Sequence, residues 1–262
     1  MCGVGWRWQK GAIMRKTLVL LAVLTAVPVT GASATDMPLK APAVPYAAYN
    51  WTGFYLGGEF GGGWATDTAT NLTTTTTFPA GFVHTPIRYS GILGGVYGGY
   101  NFQINQFVIG IDGDYTWAGL TGALTEPSAL VAGAVVNTSD KINWISTVTG
   151  RAGYAINNWL LFVKGGWAWA GFSETGRGIT PAGVVDSATS ASSTRNGWTV
   201  GPGVEWGFAQ HWSAKLEYDY VDFNRANFNL TATNLITGVV TVSSKSATSS
   251  LSMLKAGIDY RF

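Results

Sequence analysis

The chain has 262 residues, of which 47% are hydrophobic, 13% aromatic and only 11% charged, with 35 Gly, 12 Trp and a single Cys. Such scarce charge and abundant Gly and Trp are foreign to an ordinary soluble domain. No segment after the N-terminal region approaches the roughly 18 apolar residues of a spanning helix, which excludes a helical membrane protein. The formal net charge of +2 is misleading, since four of the basic residues lie in an N-terminal segment expected to be removed, and the rest leave no basic patch of the kind nucleic acid requires.

At the N-terminus, Arg15-Lys16 precedes an apolar run over 17–29 that is too short to cross a bilayer, and Ala32-Ser33-Ala34 fits a small-x-small cleavage site. Residues 1–34 therefore read as a signal peptide. Met14 is the expected natural start, with residues 1–13 an upstream extension. Removing Arg7, Lys10, Arg15 and Lys16 from the 16 basic residues leaves 12 against 14 acidic ones in the exported chain. Cys2 goes with them, so neither disulfide nor thiol chemistry is expected. Residues 35–50 carry Pro38, Pro42 and Pro45 and read as an extended, poorly ordered periplasmic leader.

From 51 to 262 the chain alternates with period 2, the signature of strands. The first, 51–64, sets Phe54, Leu56, Phe60 and Trp64 against Tyr55 and Glu59. The second (91–103) turns Ile92, Val96, Tyr100 and Phe102 to the apolar side, and the third (107–117) opposes Ile109, Ile111, Tyr115 and Trp117 to Asp112 and Asp114. In the fourth (142–155) Trp144, Val148 and Tyr154 oppose Arg151. The fifth (159–172) sets Leu161, Val163, Trp167 and Trp169 against Lys164. The sixth (197–208) places Trp198, Val200, Val204 and Trp206 opposite Glu205, with Pro202 expected at a bulge or kink. The seventh (212–223) sets Leu216, Tyr218 and Tyr220 against Lys215, Glu217 and Asp219. The terminal run 253–262 opposes Leu254, Ala256, Ile258, Tyr260 and Phe262 to Lys255, Asp259 and Arg261.

Connections alternate between tight ones, at 103–106, 156–158 and 209–211, and four long Thr/Ser/Ala/Gly-rich ones at 65–88, 118–140, 173–195 and 224–247. A compact soluble fold rarely tolerates structureless loops of that length, whereas an outer-membrane barrel expects short periplasmic turns and long extracellular loops. Outward aromatics fall in two bands, with Phe54, Phe107, Trp159, Trp206 and Phe262 at one end and Trp64, Trp117, Trp144, Trp167 and Trp198 at the other. Aromatic rings favour the two headgroup regions, so this banding points to lipid outside the strands and charge inside. The fold class is all-β: an eight-stranded antiparallel up-and-down transmembrane β-barrel over 51–262.

Four runs carry a family resemblance: Asn50-Trp51-Thr52-Gly53-Phe54-Tyr55-Leu56-Gly57-Gly58, Val108-Ile109-Gly110-Ile111-Asp112-Gly113-Asp114-Tyr115, Gly150-Arg151-Ala152-Gly153-Tyr154-Ala155 and Trp212-Ser213-Ala214-Lys215-Leu216-Glu217-Tyr218. The chain resembles the small outer-membrane β-barrels of Gram-negative bacteria, the opacity-type or outer-membrane immunogenic proteins often labelled "porin family". The resemblance covers the strands and none of the long loops. It implies location in the outer membrane. It also implies that the terminal Gly257-Ile258-Asp259-Tyr260-Arg261-Phe262 is the signal read by the barrel-assembly machinery.

Seven acids (Glu59, Asp112, Asp114, Glu205, Glu217, Asp219, Asp259) and five bases (Arg151, Lys164, Lys215, Lys255, Arg261) project inward. Eight strands leave an interior that side chains fill, so these charges are expected to pair with each other and not to line a water column or hold a metal. His84, in the first long loop, and His211, in a tight turn, are the only histidines and lie at opposite ends. No Ser/His/Asp arrangement is readable, so no catalytic, cofactor or metal residues are assigned. The leading reading is a non-enzymatic structural and surface protein. Its expected partners are outer-membrane lipid and lipopolysaccharide, the assembly machinery at Phe262, and host or environmental ligands at the loops. A small-solute porin and a lipid A-modifying enzyme with His84 as base are the alternatives.

Overall fold

The computed structural model describes residues 49–262. The signal peptide, the start at Met14 and most of the leader lie outside these residues. Eight strands follow in order: β1 (Gly53–Asn71), β2 (Ile87–Ile104), β3 (Phe107–Pro127), β4 (Val135–Ile156), β5 (Trp159–Ile179), β6 (Val185–Ala209), β7 (Trp212–Asn234) and β8 (Val240–Arg261). Each pairs antiparallel with its sequence neighbours and β8 returns to β1, closing the barrel without an unpaired edge. Alternation decides the faces. Phe54, Leu56, Phe60, Ile92, Ile109, Ile111, Val163 and Leu216 stand exposed on the outside, while Tyr55, Glu59, Tyr97, Asp112 and Lys164 are buried within.

The three tight turns lie where the sequence places them. Asn105 (φ 55°) and Asn157 (φ 54°) open the first two in the left-handed region, which Asn tolerates better than most residues. At the other end the structure corrects the expectation of four long loops. Strands of 18 to 25 residues run far past the roughly 9–11 that a tilted membrane strand needs, and only 72–86, 128–134, 180–184 and 235–239 remain as connections. The Thr- and Ser-rich segments pair with the neighbouring strand of their hairpin, as at Thr125↔Asn137 and Arg177↔Ala188. Their β-branched residues suit a pleated surface, and pairing satisfies backbone groups a loop would leave to water.

Pro202 corrects part of a second expectation: pairing with β7 lapses at Gly201 and Pro202, but no bulge is inserted. β5 and β6 pair in unbroken register through Lys164↔Gly201, Val163↔Pro202 and Phe162↔Gly203. Towards β7, pairing steps from Val200↔Tyr220 to Gly203↔Glu217 with the register kept, so no bulge is inserted. Proline costs the ladder a donor without demanding an extra residue. Gly201 lets the β7 backbone close in, because a Cβ there would collide with the Tyr218 carbonyl. Register shifts occur elsewhere: above Pro202, as between Trp117 and Leu120 in β3, between Ile142 and Trp144 in β4 and between Ser190 and Gly197 in β6, and below it between Gly207 and Ala209 beside the last tight turn.

The beginning of the barrel is also refined. β1 starts at Gly53, and Tyr49 and Trp51 before it are buried in the mouth at the tight-turn end. Arg261 Nη1 donates to the Trp51 carbonyl at 2.6 Å, and the Trp51 amide donates to Gln103 Oε1 at 2.9 Å.

Candidate functional site

The interior is layered along the barrel axis. At the tight-turn mouth Tyr49, Trp51, Val108, Ala155, Leu160 and Phe162 form an apolar stopper. Above it Glu205 is gripped from two strands, by Arg151 Nη2 at 2.8 Å and Arg261 Nη2 at 3.0 Å. Ser213 donates to Glu205 Oε1 at 2.7 Å and is also hydrogen-bonded to Asp259.

The middle layer gathers Lys164, Lys215 and Lys255 with five carboxylates. Lys255 Nζ lies 3.0 Å from Glu59, 3.3 Å from Asp114, 3.1 Å from Glu217 and 3.1 Å from Asp219. Lys164 meets Glu217 at 3.0 Å, Asp219 at 3.2 Å, Asp114 at 3.8 Å and Asp112 at 3.9 Å. Lys215 bridges Glu59 and Glu217 at 3.2 Å each and sits 3.3 Å over the Tyr97 ring. Hydroxyls meet the surplus negative charge: Tyr55 donates to Asp112 at 2.6 Å, Thr147 to Asp114 at 2.6 Å and Thr116 to Glu59 at 3.0 Å. All twelve charges that the alternation directs inward are buried here. The lone Asp112–Asp114 spacing is thus occupied by lysine, threonine and tyrosine.

Above the charges lies a second apolar layer, in which Leu93, Leu120, Ile142, Ile145, Val221, Leu251 and Met253 are at most 2% exposed. The shift after Ile142 returns Ile145 to the inside, so β4 contributes two isoleucines to this layer.

A barrel with lipid-facing aromatic belts and a charged interior belongs in an outer membrane, and similarity in sequence decides the matter. The family model for the outer membrane protein beta-barrel domain matches residues 20–262. The chain belongs to this family. It is 30% identical over 222 residues to the 31 kDa outer-membrane immunogenic protein of Brucella melitensis, covering 80% of this chain and 88% of that protein. The 22 kDa outer membrane protein of Rhizobium leguminosarum is 30% identical over 191 residues, 73% of this chain and 72% of its own. The 25 kDa outer-membrane immunogenic protein of Brucella canis is 27% identical over 225 residues, 86% and 85% of the two chains. The protein is an outer-membrane β-barrel, with its tight turns in the periplasm and its tall hairpins outside the cell.

The extracellular part of this outer-membrane barrel holds charges that sequence reasoning missed. Arg195 Nη1 lies 2.9 Å from Asp67 and donates to Ser249 at 2.6 Å. Tyr89 donates to Asp140 at 3.0 Å, and Lys245 contacts Glu174 at 2.5 Å. The charged ones, Asp67, Asp140, Glu174, Arg195 and Lys245, fell in segments read as loops. The clue was available in β6, where inward Arg195, Gly197 and Thr199 continue the phase of Glu205.

His84 is half-buried in the first extracellular connection. Its Nδ1 lies 2.7 Å from Glu126 and its Nε2 3.0 Å from Asn71, and the Phe78 and Phe82 rings pack edge-on against it at 4.8 and 5.2 Å. Burial holds its imidazole below the ordinary value, against the pull of the Glu126 hydrogen bond. His211 sits in the last periplasmic turn, its Nδ1 2.9 Å from the Arg261 carbonyl.

Proposed function

We propose that the protein is a non-enzymatic structural and surface component of the outer membrane, with a lumen closed to solutes. The observation that carries this reading is the stacking of the Lys164–Lys215–Lys255 ion-pair layer beneath the Leu93–Leu120–Ile142–Leu251 apolar layer. A conducting pore needs charges that are solvated and weakly held. Here each lysine is shared among two to four carboxylates, and a dry layer caps them. Oppositely charged groups drawn from β1, β3, β5, β7 and β8 tie strands across the barrel, a device for stiffness.

A hydrolytic or acyl-transfer role would need a base aimed at a nucleophile. Both ring nitrogens of His84 face Glu126 and Asn71, which suits a latch between the first connection and β3. The tall hairpins present Thr, Ser and Val to the exterior, and relatives named immunogenic favour a surface-antigen role for them. The assembly machinery would take the barrel by its terminal strand, where Phe262 is exposed on the lipid side and its amide donates to the Phe54 carbonyl at 2.9 Å. Proteoliposomes loaded with arabinose test the closed lumen: the purified chain should leave efflux at the level of empty vesicles. Efflux that scales with the amount of protein would contradict it.

A further inference from the structure

The outer surface is not uniform. Of the eleven Lys and Arg in the described residues, seven are buried in the lumen. The remaining four, Arg88, Lys141, Arg177 and Arg225, are exposed, and all lie in the extracellular halves of their strands. Two of them stand close above the outer aromatic belt. Arg88 pairs with Thr66, one pleat repeat beyond Trp64↔Ser90, so it stands about 7 Å further out than Trp64 on the adjacent strand. Lys141 pairs with Thr121, the partner of Ser90, and is three residues beyond Trp144. Neither Arg88 nor Lys141 makes an ion pair among the described residues.

Directly below Arg88 the lipid face carries a shallow, open depression. A groove of about 600 Å³ crosses β2, β1, β8 and β7, floored by Gly62 and walled by Phe60, Trp64, Leu216 and Leu254, with Ser90 at its outer end. Gly62 points outward with room for a side chain, since a Cβ there would meet only the Gly91 carbonyl at 3.6 Å. The groove descends from the outer belt into the hydrocarbon, and its walls are almost wholly apolar. Its mouth carries a hydroxyl and a cation.

We propose that this groove and Arg88 form a site for one phosphate-bearing lipid of the outer leaflet. An acyl chain lies along Gly62 between Phe60 and Leu254, and the headgroup phosphate rests on Arg88, within reach of Ser90. Lys141, level with Ser90 two strand spacings away and so about 12 Å from Arg88, is placed for a second phosphate of the same headgroup. Arginine suits the task because its planar fork matches phosphate oxygens in pairs. The tryptophan beside it prefers the headgroup level, where the chain-to-phosphate junction of such a lipid would sit. The periplasmic rim, in contrast, has no exposed Lys or Arg among the described residues. The site therefore discriminates between leaflets.

The test uses the full chain in nanodiscs of phosphatidylcholine carrying a minor fraction of bis-phosphorylated lipid A, or of the same lipid A stripped of phosphate, with retained lipid counted by native mass spectrometry. The wild type should retain the phosphorylated lipid in preference to both others. Arg88→Gln should lower that retention about fivefold, the effect of one cation near a membrane surface, and Lys141→Gln by less. Gly62→Leu, which fills the groove without touching a charge, should lower retention of both lipid A forms. The heat-modifiable band shift of folded barrels checks that each variant has assembled. Equal retention of the phosphorylated and stripped lipids, or folded R88Q and G62L variants that retain lipid as the wild type does, would overturn the proposal.

Discussion

The membrane-spanning and extracellular halves of this barrel are built from the same eight strands, yet their outer faces obey different solvents. In the lower half, outward positions are Phe54, Leu56, Phe60, Ile109, Ile111 and Val163. In the upper half, the same phase carries Thr66, Thr121, Thr125 and Ser139. The inner face changes far less: Glu59, Asp114 and Lys255 below are answered by Asp67, Arg195 and Lys245 above. Lipid dictates the exterior, and the crowding of a narrow barrel dictates the interior along its full height. The two halves therefore fail in different ways when altered.

The largest effect should come from the lipid-facing end of the last strand. Deleting Phe262, or replacing it with Glu, should remove most of the folded, surface-exposed protein, because a charge on the lipid face opposes insertion. Surface labelling and the heat-modifiable band shift measure this. Removing the 235–239 connection in the upper half should leave both intact.

Next come the two ion-pair layers, which sharpen the comparison. Lys255→Met removes a buried cation shared by four carboxylates, leaving them only Lys164 and Lys215, and should destabilise the barrel by about 3–5 kcal/mol in urea unfolding. Lys245→Met breaks a single pair whose side chains keep 11% and 13% exposure, against the four partners of Lys255, and should cost less, about 1–3 kcal/mol. Equal losses would mean that the upper barrel is as dry as the lower. Between the layers, Leu120→Ala should cost about 2–4 kcal/mol through the cavity it opens, without creating conductance.

The smallest effect is pH-dependent and confined to the first connection. Because the folded His84 binds its proton less readily than a free histidine, docking of 72–86 is at full strength above the ordinary value of 6.5 and weakens as pH falls below it. Amide exchange at Phe82 and His84, whose N–H groups donate to Pro79 and Ala69, should accelerate between pH 7 and 5 beyond its intrinsic change. His84→Gln should flatten that dependence. Protection independent of pH in the wild type would show that His84 does not govern the latch.

The lower half was legible in the sequence because lipid enforces a strict contrast between faces. Fourteen-residue runs such as 159–172 alternate Leu161, Val163, Trp167 and Trp169 with Lys164 and small residues. The upper half was not legible because both of its faces are polar, so Thr66–Asn71 or Ser187–Ser193 lose the period-2 signal while keeping the geometry. For the same reason Asp67, Asp140, Glu174, Arg195 and Lys245 went unassigned. The inward direction of Lys255 follows from its neighbours Leu254 and Ala256, but its meeting with acids of β1, β3 and β7 depends on strand register, which the sequence leaves open. The burial of Trp51 was equally hidden, since a Trp at a barrel mouth suits a lipid belt or a stopper alike. Pro202 misled for a simpler reason: the ladder with β7 lapses at Gly201 and Pro202 and resumes in the same register, so the missing donor needs no extra residue.

Single-channel recording of the full chain in planar bilayers tests the central claim, that paired charges and a dry apolar layer seal the lumen, most directly. The structure predicts a flat current trace at moderate voltage, with no long-lived steps in 1 M KCl, where surface charge is screened but buried pairs are not. Stable, reproducible steps that persist after the hairpins above the membrane are shortened would show an open water path through Lys164, Lys215 and Lys255, and would contradict it.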